Sequence, residues 1–225
     1  MNKRVIFVQF LMDNSYNKTF LKYLHSYSLI GYEYIDYDEL NRIKFDLLNL
    51  PNDIESLSNY SKNCNLCNLS KNTNTGTFSF GNVKSEVWII DVTSSYYSNI
   101  QTNEFLDTLM SNSISLGLND MYLTNILKCK VNMPLNTIYN EIDICIDYLY
   151  KEIAICQPKI IITLGETFNI MMNKNDNLLD IIGNTYKLNG IDVVPLYSLD
   201  YLIKNPSLIY KLDDGFKRVK KILES

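Results

Sequence analysis

The chain has 225 residues, of which 46% are hydrophobic and 20% are charged. A chain of this length can bury a full core in one modest globular domain, and no apolar run reaches the roughly 18 residues that span a bilayer. The net charge of −4 argues against a protein that simply coats nucleic acid, because such proteins are usually basic, although a local basic patch is compatible with it.

The first 52 residues predict a mainly helical N-terminal extension. Residues 1–11 are basic and then apolar, but the apolar part is short and no small-residue cleavage site follows, so they favour a buried strand or helix over a signal peptide. Helices are predicted over residues 19–29 and 38–50, with Gly31 and Pro51 as their stops. We therefore expect a cytoplasmic protein whose thiols stay reduced.

From residue 53 onward, helices and strands alternate. Continuous apolar runs, typical of strands covered on both faces, mark four strands at residues 86–91, 121–127, 159–164 and 192–197. Helices are predicted before, between and after them, at residues 53–62, 103–116, 137–156 and 166–172 and at the C-terminus. This order predicts a three-layer α/β/α domain over residues 53–225 with a central four-stranded parallel sheet, whose ligand site lies at the carboxyl ends of the strands.

Four of the five cysteines have a spacing that indicates a shared site. Cys64 and Cys67 form a Cys-x-x-Cys pair, Cys129 follows a predicted strand, and Cys145 lies on the next helix, so the four thiolates can converge on one point. In a cytoplasmic chain such a group predicts a metal ion or an iron–sulfur cluster rather than disulfides. Zinc binds four thiolates equally well, and unconnected core cysteines are a further alternative. Cys156 is expected to be an ordinary buried thiol.

The segments around these cysteines follow a characteristic order. Residues 122–130 read YLTNILKCK, the helix that carries Cys145 leads into KIIITLG at residues 159–165, and residues 194–206 read VPLYSLDYLIKNP. This order resembles the iron–sulfur uracil-DNA glycosylases of bacterial family 4, over roughly residues 54–223. The resemblance implies a uracil-DNA glycosylase-like fold and a link to DNA base-excision repair. It also implies a 4Fe–4S cluster that acts as a structural staple, with the ligands Cys64, Cys67, Cys129 and Cys145.

The resemblance also implies residues that contact DNA. Asn125 occupies the position of the asparagine that reads the edge of uracil, for which its amide offers a donor and an acceptor, although a plain turn-forming asparagine is the alternative. Lys128 and Lys130 flank the cluster cysteine, and Lys204 follows the late loop, so all three are predicted phosphate contacts. We expect a monomer that binds DNA weakly and in a salt-sensitive way, with no membrane association.

The first active-site loop departs from the family pattern. The family has Gly-Glu-Ala-Pro-Gly after its first core strand, whereas residues 91–95 read DVTSS. Val92 stands at the position of the glutamate, and a valine can neither orient water nor stabilise positive charge. Asp91 is one position early, which on a strand end predicts that its carboxylate points to the opposite side. Tyr96 or Tyr97 is the nearest substitute for the aromatic residue that stacks on uracil.

The late loop departs as well. Ser198 stands where the family has its histidine, and Leu199 replaces the following proline. The single histidine of the chain, His25, lies far outside the resemblance, so no imidazole is available to stabilise the uracil anion. A serine offers only a neutral hydrogen bond at that point. The active-site motifs are therefore degenerate by the family standard.

Three functions stay open at this stage. The first is a degenerate superfamily member with lost or much reduced uracil excision and residual DNA binding. The second is an active glycosylase in which Asp91 or Asp200 supplies the carboxylate and Ser198 contacts the uracil anion. The third is a four-cysteine metal module that binds an unknown protein partner through its acidic surface. For either glycosylase reading, Asp91, Asn125 and Ser198 should gather at one edge of the sheet.

Overall fold

The structure is a computed structural model that describes residues 4–6, 34–36, 50–72, 76–94, 99–131 and 134–224. It divides into two compact units, Met1–Asn52 and Asp53–Ser225. In the first unit, β1 (Arg4–Ile6) pairs antiparallel with β2 (Tyr34–Asp36). The two helices predicted in this unit lie outside the described residues, apart from the last residue of the second, and so does His25.

The second unit alternates helices and strands, as predicted. The described helices are α1 (Ile54–Lys62), α2 (Asn68–Asn72), α3 (Ile100–Ile114), α4 (Tyr139–Cys156), α5 (Thr167–Met172), α6 (Leu178–Ile181), α7 (Leu199–Lys204) and α8 (Asp213–Leu223). The described strands are β3 (Ser79–Gly81), β4 (Val87–Asp91), β5 (Tyr122–Asn125), β6 (Ile160–Leu164), β7 (Tyr186–Leu188) and β8 (Ile191–Leu196). None of the helices among the described residues is long and apolar enough to cross a membrane.

One six-stranded sheet organises this unit. Its strand order is β3-β5-β4-β6-β8-β7. The four central strands run parallel to one another, whereas the edge strands β3 and β7 pair antiparallel with their neighbours. The α/β class is confirmed, but the sheet is wider than the four strands predicted. The two edge strands have three residues each and contain no buried residue, so neither has the continuous apolar run that identified the central strands.

Helices cover both faces of the sheet because successive strand residues point to opposite sides. Val87 and Ile89 of β4 belong to a core cluster that also contains buried side chains of α3, α7 and α8, such as Leu106, Leu202 and Phe216. Trp88 points to the other side, where its ring lies 4.4 Å from the ring of Tyr122. That side is covered by α4.

Contacts from α4 confirm the second helical layer. Glu152 of α4 accepts a hydrogen bond from the hydroxyl of Tyr122 on β5. The hydroxyl of Tyr150 donates to the backbone carbonyl of Met171 at 2.7 Å, which joins α4 to α5. On its outer side α4 packs against α1, whose Tyr60 ring lies 6.3 Å from the ring of Tyr148. The domain is therefore a three-layer α/β/α fold.

Gly81 ends β3 and Gly190 lies in the turn between β7 and β8, and a comparison of the two tests how tightly β3 is held. Gly81 (φ +87°) and Gly190 (φ +89°) have similar left-handed backbones, but a Cβ at Gly81 lies 2.1 Å from the Met121 carbonyl oxygen, whereas a Cβ at Gly190 meets nothing within 4 Å. Gly81→Ala should lower the free energy of unfolding more than Gly190→Ala, for which we expect only the backbone strain of roughly 1–3 kcal/mol. Urea denaturation measures both; equal losses would contradict the close approach.

Candidate functional site

Polar side chains end the parallel strands at one edge of the sheet. Asp91 is the last residue of β4 and Asn125 the last residue of β5, and the two are partners in the ladder. Ser198 lies just beyond the end of β8. Because these three strands run parallel, the residues lie at the same edge, where α/β proteins of this class bind ligands.

Asp91 is a half-buried carboxyl group at this edge. Its Oδ1 accepts a hydrogen bond of 2.7 Å from the backbone N–H of Val92. The pKa of Asp91 is raised to about 7, first because burial removes water from the carboxylate; the Val92 N–H lowers it, the charge of Asp200 raises it, and the Thr167 hydroxyl lowers it. Near neutral pH this group is therefore divided between its protonated and ionised forms.

Asp200 and Thr167 complete the surroundings of Asp91. Asp200 is exposed in the first turn of α7, and its charge raises the pKa of Asp91. The two predicted carboxyl groups therefore interact electrostatically. Thr167 begins α5 and was missed by the sequence reasoning; its hydroxyl also donates to the Leu164 carbonyl at 2.7 Å. The sequence does predict a helix just after Gly165, at the carboxyl end of the third parallel strand. That placement indicates that Thr167 lies at the same edge of the sheet.

Asn125 is completely buried. Its Nδ2 donates a short hydrogen bond to the backbone carbonyl of Leu127, two residues farther along the chain. Its Oδ1 is buried and has no hydrogen-bond partner in the described part of the chain. Because buried polar atoms are nearly always paired, this acceptor is the one feature of the side chain that a ligand donor would satisfy.

Ser198 and Val92 are the residues at the two positions where the sequence predicts a departure from the family pattern. Ser198 is half-buried at the N-cap of α7, and its side chain makes no capping hydrogen bond. A Cβ on Gly165 would lie 3.2 Å from the Ser198 Cβ, so the ends of β6 and β8 meet closely here. The Val92 side chain is 2% exposed and belongs to the core. Tyr96 and Tyr97, the predicted stacking residues, lie outside the described residues.

The four predicted cysteines line one small cavity. Cys64, Cys67, Cys129 and Cys145 share it with the buried Tyr148 and with Leu66 and Ile144. They come from three places in the fold: the segment between α1 and α2, the segment after β5, and α4. No disulfide joins them. The convergence predicted from their spacing is therefore present, and Cys156 does not line the cavity.

The thiol of Cys145 is the most buried of the four. Burial raises its pKa to about 12, and the backbone N–H of Lys128, which donates to Cys145 Sγ at 3.4 Å, lowers it. Within the described ranges, no three or more His, Cys, Asp or Glu side chains are placed to hold a single metal ion.

The position of Lys128 contradicts the prediction that this residue contacts phosphate. The residue is 5% exposed, and its ammonium forms a buried ion pair with Glu152 of α4. It also donates to the hydroxyl of Thr124 at 2.8 Å and to the Phe78 carbonyl at 3.5 Å. These three acceptors match the three donors of a lysine ammonium, so Lys128 is not placed to contact a phosphate.

Lys130 and Lys204 differ from Lys128 in their exposure. Lys130 follows Cys129 and is exposed, and Lys204 is exposed at the last residue of α7. The tail lysines of α8, Lys217 and Lys221, are exposed as well. Lys130 and Lys204 are therefore accessible, as a phosphate contact requires. Their contacts with phosphate stay predictions.

Polar residues at the carboxyl ends of parallel central strands and a group of cysteines beside β5 characterise this α/β domain. The family description "Uracil DNA glycosylase superfamily" matches residues 83–224. The chain belongs to this superfamily, and its α/β fold is that of the uracil-DNA glycosylases.

The sequences of two relatives in the superfamily align with most of this chain. It is 27% identical to a type-4 uracil-DNA glycosylase of Saccharolobus solfataricus over 188 residues, 76% of this chain and 87% of that protein. It is 23% identical to the type-4 enzyme of Archaeoglobus fulgidus over 174 residues, 71% of this chain and 87% of that protein. Both organisms are archaea, so the bacterial branch of the sequence-based resemblance stays a prediction.

The pKa of Asp91 leads to a pH-dependent stability. Between about pH 4 and pH 7 the folded protein keeps a proton on Asp91 that the unfolded chain has released, because the pKa rises from 3.8 to about 7 on folding. The free energy of unfolding should fall across this window as pH rises, and Asp91→Asn should remove that part of the fall. Exposed Asp213→Asn is the control. Urea unfolding measures the three curves; parallel curves for the parent and Asp91→Asn would contradict the burial.

Proposed function

We propose that this protein is an iron–sulfur member of its superfamily that is linked to DNA base-excision repair, binds DNA weakly and excises uracil little or not at all. The observation that carries the proposal is the convergence of four cysteines on one cavity beside the end of β5, the strand that Asn125 closes. The type-4 uracil-DNA glycosylases among its relatives support DNA as the class of substrate.

Four thiolates around one space are a ligand set for either a 4Fe–4S cluster or a zinc ion. The sequence resemblance to the iron–sulfur glycosylases favours the cluster, in which each thiolate binds a different iron.

The cluster's contribution in this proposal is structural. When bound, it links the Cys-x-x-Cys segment, the end of β5 and α4 through covalent bonds. The backbone N–H of Lys128 already points at Cys145 Sγ, as expected for a donor that stabilises a bound thiolate. Ile144 and Leu66, which also line the cavity, would shield the cluster from water.

Weak DNA binding rests on local charge rather than on the net charge. Lys130 and Lys204 are exposed and would supply phosphate contacts near the carboxyl edge of the sheet. Such contacts release counterions, so binding should weaken steeply as salt rises. The overall charge of −4 limits the strength of this binding.

Reduced uracil excision follows from the two substituted positions. Breaking the glycosidic bond develops positive charge on the sugar and negative charge on the departing uracil, and both must be stabilised. Val92 is apolar and faces the core, and Ser198 offers a neutral hydroxyl. Removing one group that stabilises developing charge typically lowers the rate by about 10²- to 10³-fold.

A second candidate function is favoured by one observation. Asp91 and Asp200 lie close enough for their charges to interact, and the pKa of Asp91 is about 7. A carboxyl group with this pKa can donate a proton to a leaving base, and Asp200 is the second acidic side chain that would stabilise positive charge or orient water. In this version the protein is an active glycosylase with rearranged residues.

The cluster proposal has a matched set of cysteine variants. Protein purified without oxygen should contain about four irons per chain and absorb near 400 nm, as expected for a cysteine-held cluster. Cys64→Ser and Cys129→Ser should lower the iron content and the unfolding midpoint, whereas Cys156→Ser should keep both, because Cys156 does not line the cavity. Stoichiometric zinc without iron would overturn the cluster and favour the four-cysteine module that binds a protein partner.

The activity proposal predicts that the unmodified protein releases uracil from a labelled oligonucleotide far more slowly than about 1 per second, the lower range of ordinary enzymes. Val92→Glu combined with Ser198→His should raise the rate, because it restores a carboxylate and an imidazole at the substituted positions. The same double change with Asn125→Ala is the control and should lose the gain. DNA binding at several salt concentrations, measured in parallel, shows that each variant still reaches its substrate.

Release of uracil by the unmodified protein at about 1 per second or faster would reject the degenerate version. In that case Asp91→Asn and Asp200→Asn decide the second candidate. If both variants keep the full rate, the rearranged carboxylates are not the catalytic groups.

A further inference from the structure

The segment from Thr124 to Cys129 joins the two functional parts of the molecule. It begins at the end of β5, carries Asn125, and reaches the first cysteine after the strand within four residues. Its backbone is tied to the segment after β4, since the N–H of Ile126 donates to the Asp91 carbonyl and that of Leu127 to the Val92 carbonyl, both at 2.9 Å. These two hydrogen bonds hold the segment against the carboxyl end of β4.

The Asn125 side chain depends directly on this segment. Its Nδ2 donates to the carbonyl of Leu127, the residue before Lys128. Lys128 in turn precedes Cys129, and its backbone N–H donates to Cys145 Sγ. Leu127, which accepts from the Asn125 amide, and Cys129, which lines the cysteine cavity, are therefore the two sequence neighbours of Lys128.

The Lys128 side chain turns back into the protein and anchors the segment. Its ammonium pairs with the Glu152 carboxylate, donates to the Thr124 hydroxyl and lies 4.5 Å from the centre of the Phe78 ring. Glu152 is completely buried on α4, and its Oε2 accepts from the hydroxyls of Thr124 at 2.8 Å and Tyr122 at 3.3 Å. One buried ion pair thus joins α4, β5 and the segment before β3.

A buried ion pair is weak evidence for stability, because an apolar pair of similar volume often stabilises a fold equally well. Its better-attested value is that it accepts only one arrangement of its partners. Such a pair therefore favours one path for the segment that leaves β5. The cost of burying the two charges is offset by their mutual attraction and by the hydrogen bonds from Thr124 and Tyr122 to Glu152.

We propose that the Lys128–Glu152 ion pair is a positioning element that sets the Asn125 amide and the Cys129 thiol at the same time. Loss of the pair loosens both the base-reading group and a cluster ligand. The part that concerns Cys129 as a ligand rests on the proposed function; the part that concerns Asn125 rests on the hydrogen bonds alone.

The test uses a double variant that removes both charges. Lys128→Met with Glu152→Gln leaves no unpaired buried charge, and glutamine keeps partners for Thr124 and Tyr122, so the fold should persist with a cooperative unfolding transition. The matched control is Lys159→Met with Glu86→Gln, which removes an ion pair of the same residue types at the amino ends of β4 and β6, where both side chains are about half exposed (50% and 53%).

Two readouts separate positioning from a merely structural role. The double variant should release its metal to a chelator about tenfold faster or more, the range seen when groups that orient metal ligands are removed. In asparagine-labelled protein, the slowly exchanging side-chain N–H signals of Asn125, assigned by their loss in Asn125→Asp, should be lost to rapid exchange with solvent. The control should match the parent in both.

A double variant that folds cooperatively and matches the parent in both readouts would overturn the proposal, because the pair would then only compensate charge. If the purified protein holds no metal, the cluster part of the proposed function fails, while the Asn125 signals still decide whether the pair positions the amide. The two failures are therefore distinguishable.

Discussion

The burial of one lysine charge constrains much of this domain. An ammonium group that leaves water needs an opposite charge and acceptors for all of its protons, and Lys128 finds them in Glu152, Thr124 and Phe78. These partners come from α4, β5 and the segment before β3, so the pair can form only when the parallel sheet and its covering helix are both in place. The cysteine cavity lies next to it, because Cys129 follows Lys128 directly and Cys145 lies two helical turns before Glu152. Charge burial and the cysteine arrangement are two consequences of the same packing.

The carboxyl edge of the sheet is governed by a different constraint, the scarcity of water around its polar groups. Asp91 loses solvent there, and its pKa rises to about 7 as a result. Asn125 loses solvent as well, and its Oδ1 has no partner among the described residues. A parallel sheet collects such groups because every central strand ends at the same side. The edge consequently combines a carboxyl group that is partly protonated near pH 7 with a buried amide oxygen that can accept a hydrogen bond.

The sequence was most informative where burial is uniform. The runs at β4 and β6 are apolar at nearly every position because helices cover both faces, and they predicted the parallel strands directly. The edge strands β3 and β7 were missed because each is short and half exposed. Lys128 was misplaced for a physical reason: a lysine is normally solvated, and its inward turn depends on a partner far along the chain. The signal was Glu152, an acidic residue on the buried stripe of α4 with Cys145 and Leu149, which required a cation opposite it.

The side chains of Val92 and Ser198, which the proposed function treats as substituted, contribute little to the rest of the candidate site. The contribution of Val92 to the site is made by its backbone, whose N–H binds the Asp91 carboxylate, while its side chain adds to the core. Ser198 makes no capping bond through its side chain, and the tight contact with β6 is set by the absence of a Cβ at Gly165 rather than by the residue at 198. Neither side chain is needed for the ladder, the helix start or the buried ion pair. Asn125 and the cysteines, by contrast, lie against the segment and the helix that the Lys128–Glu152 pair joins.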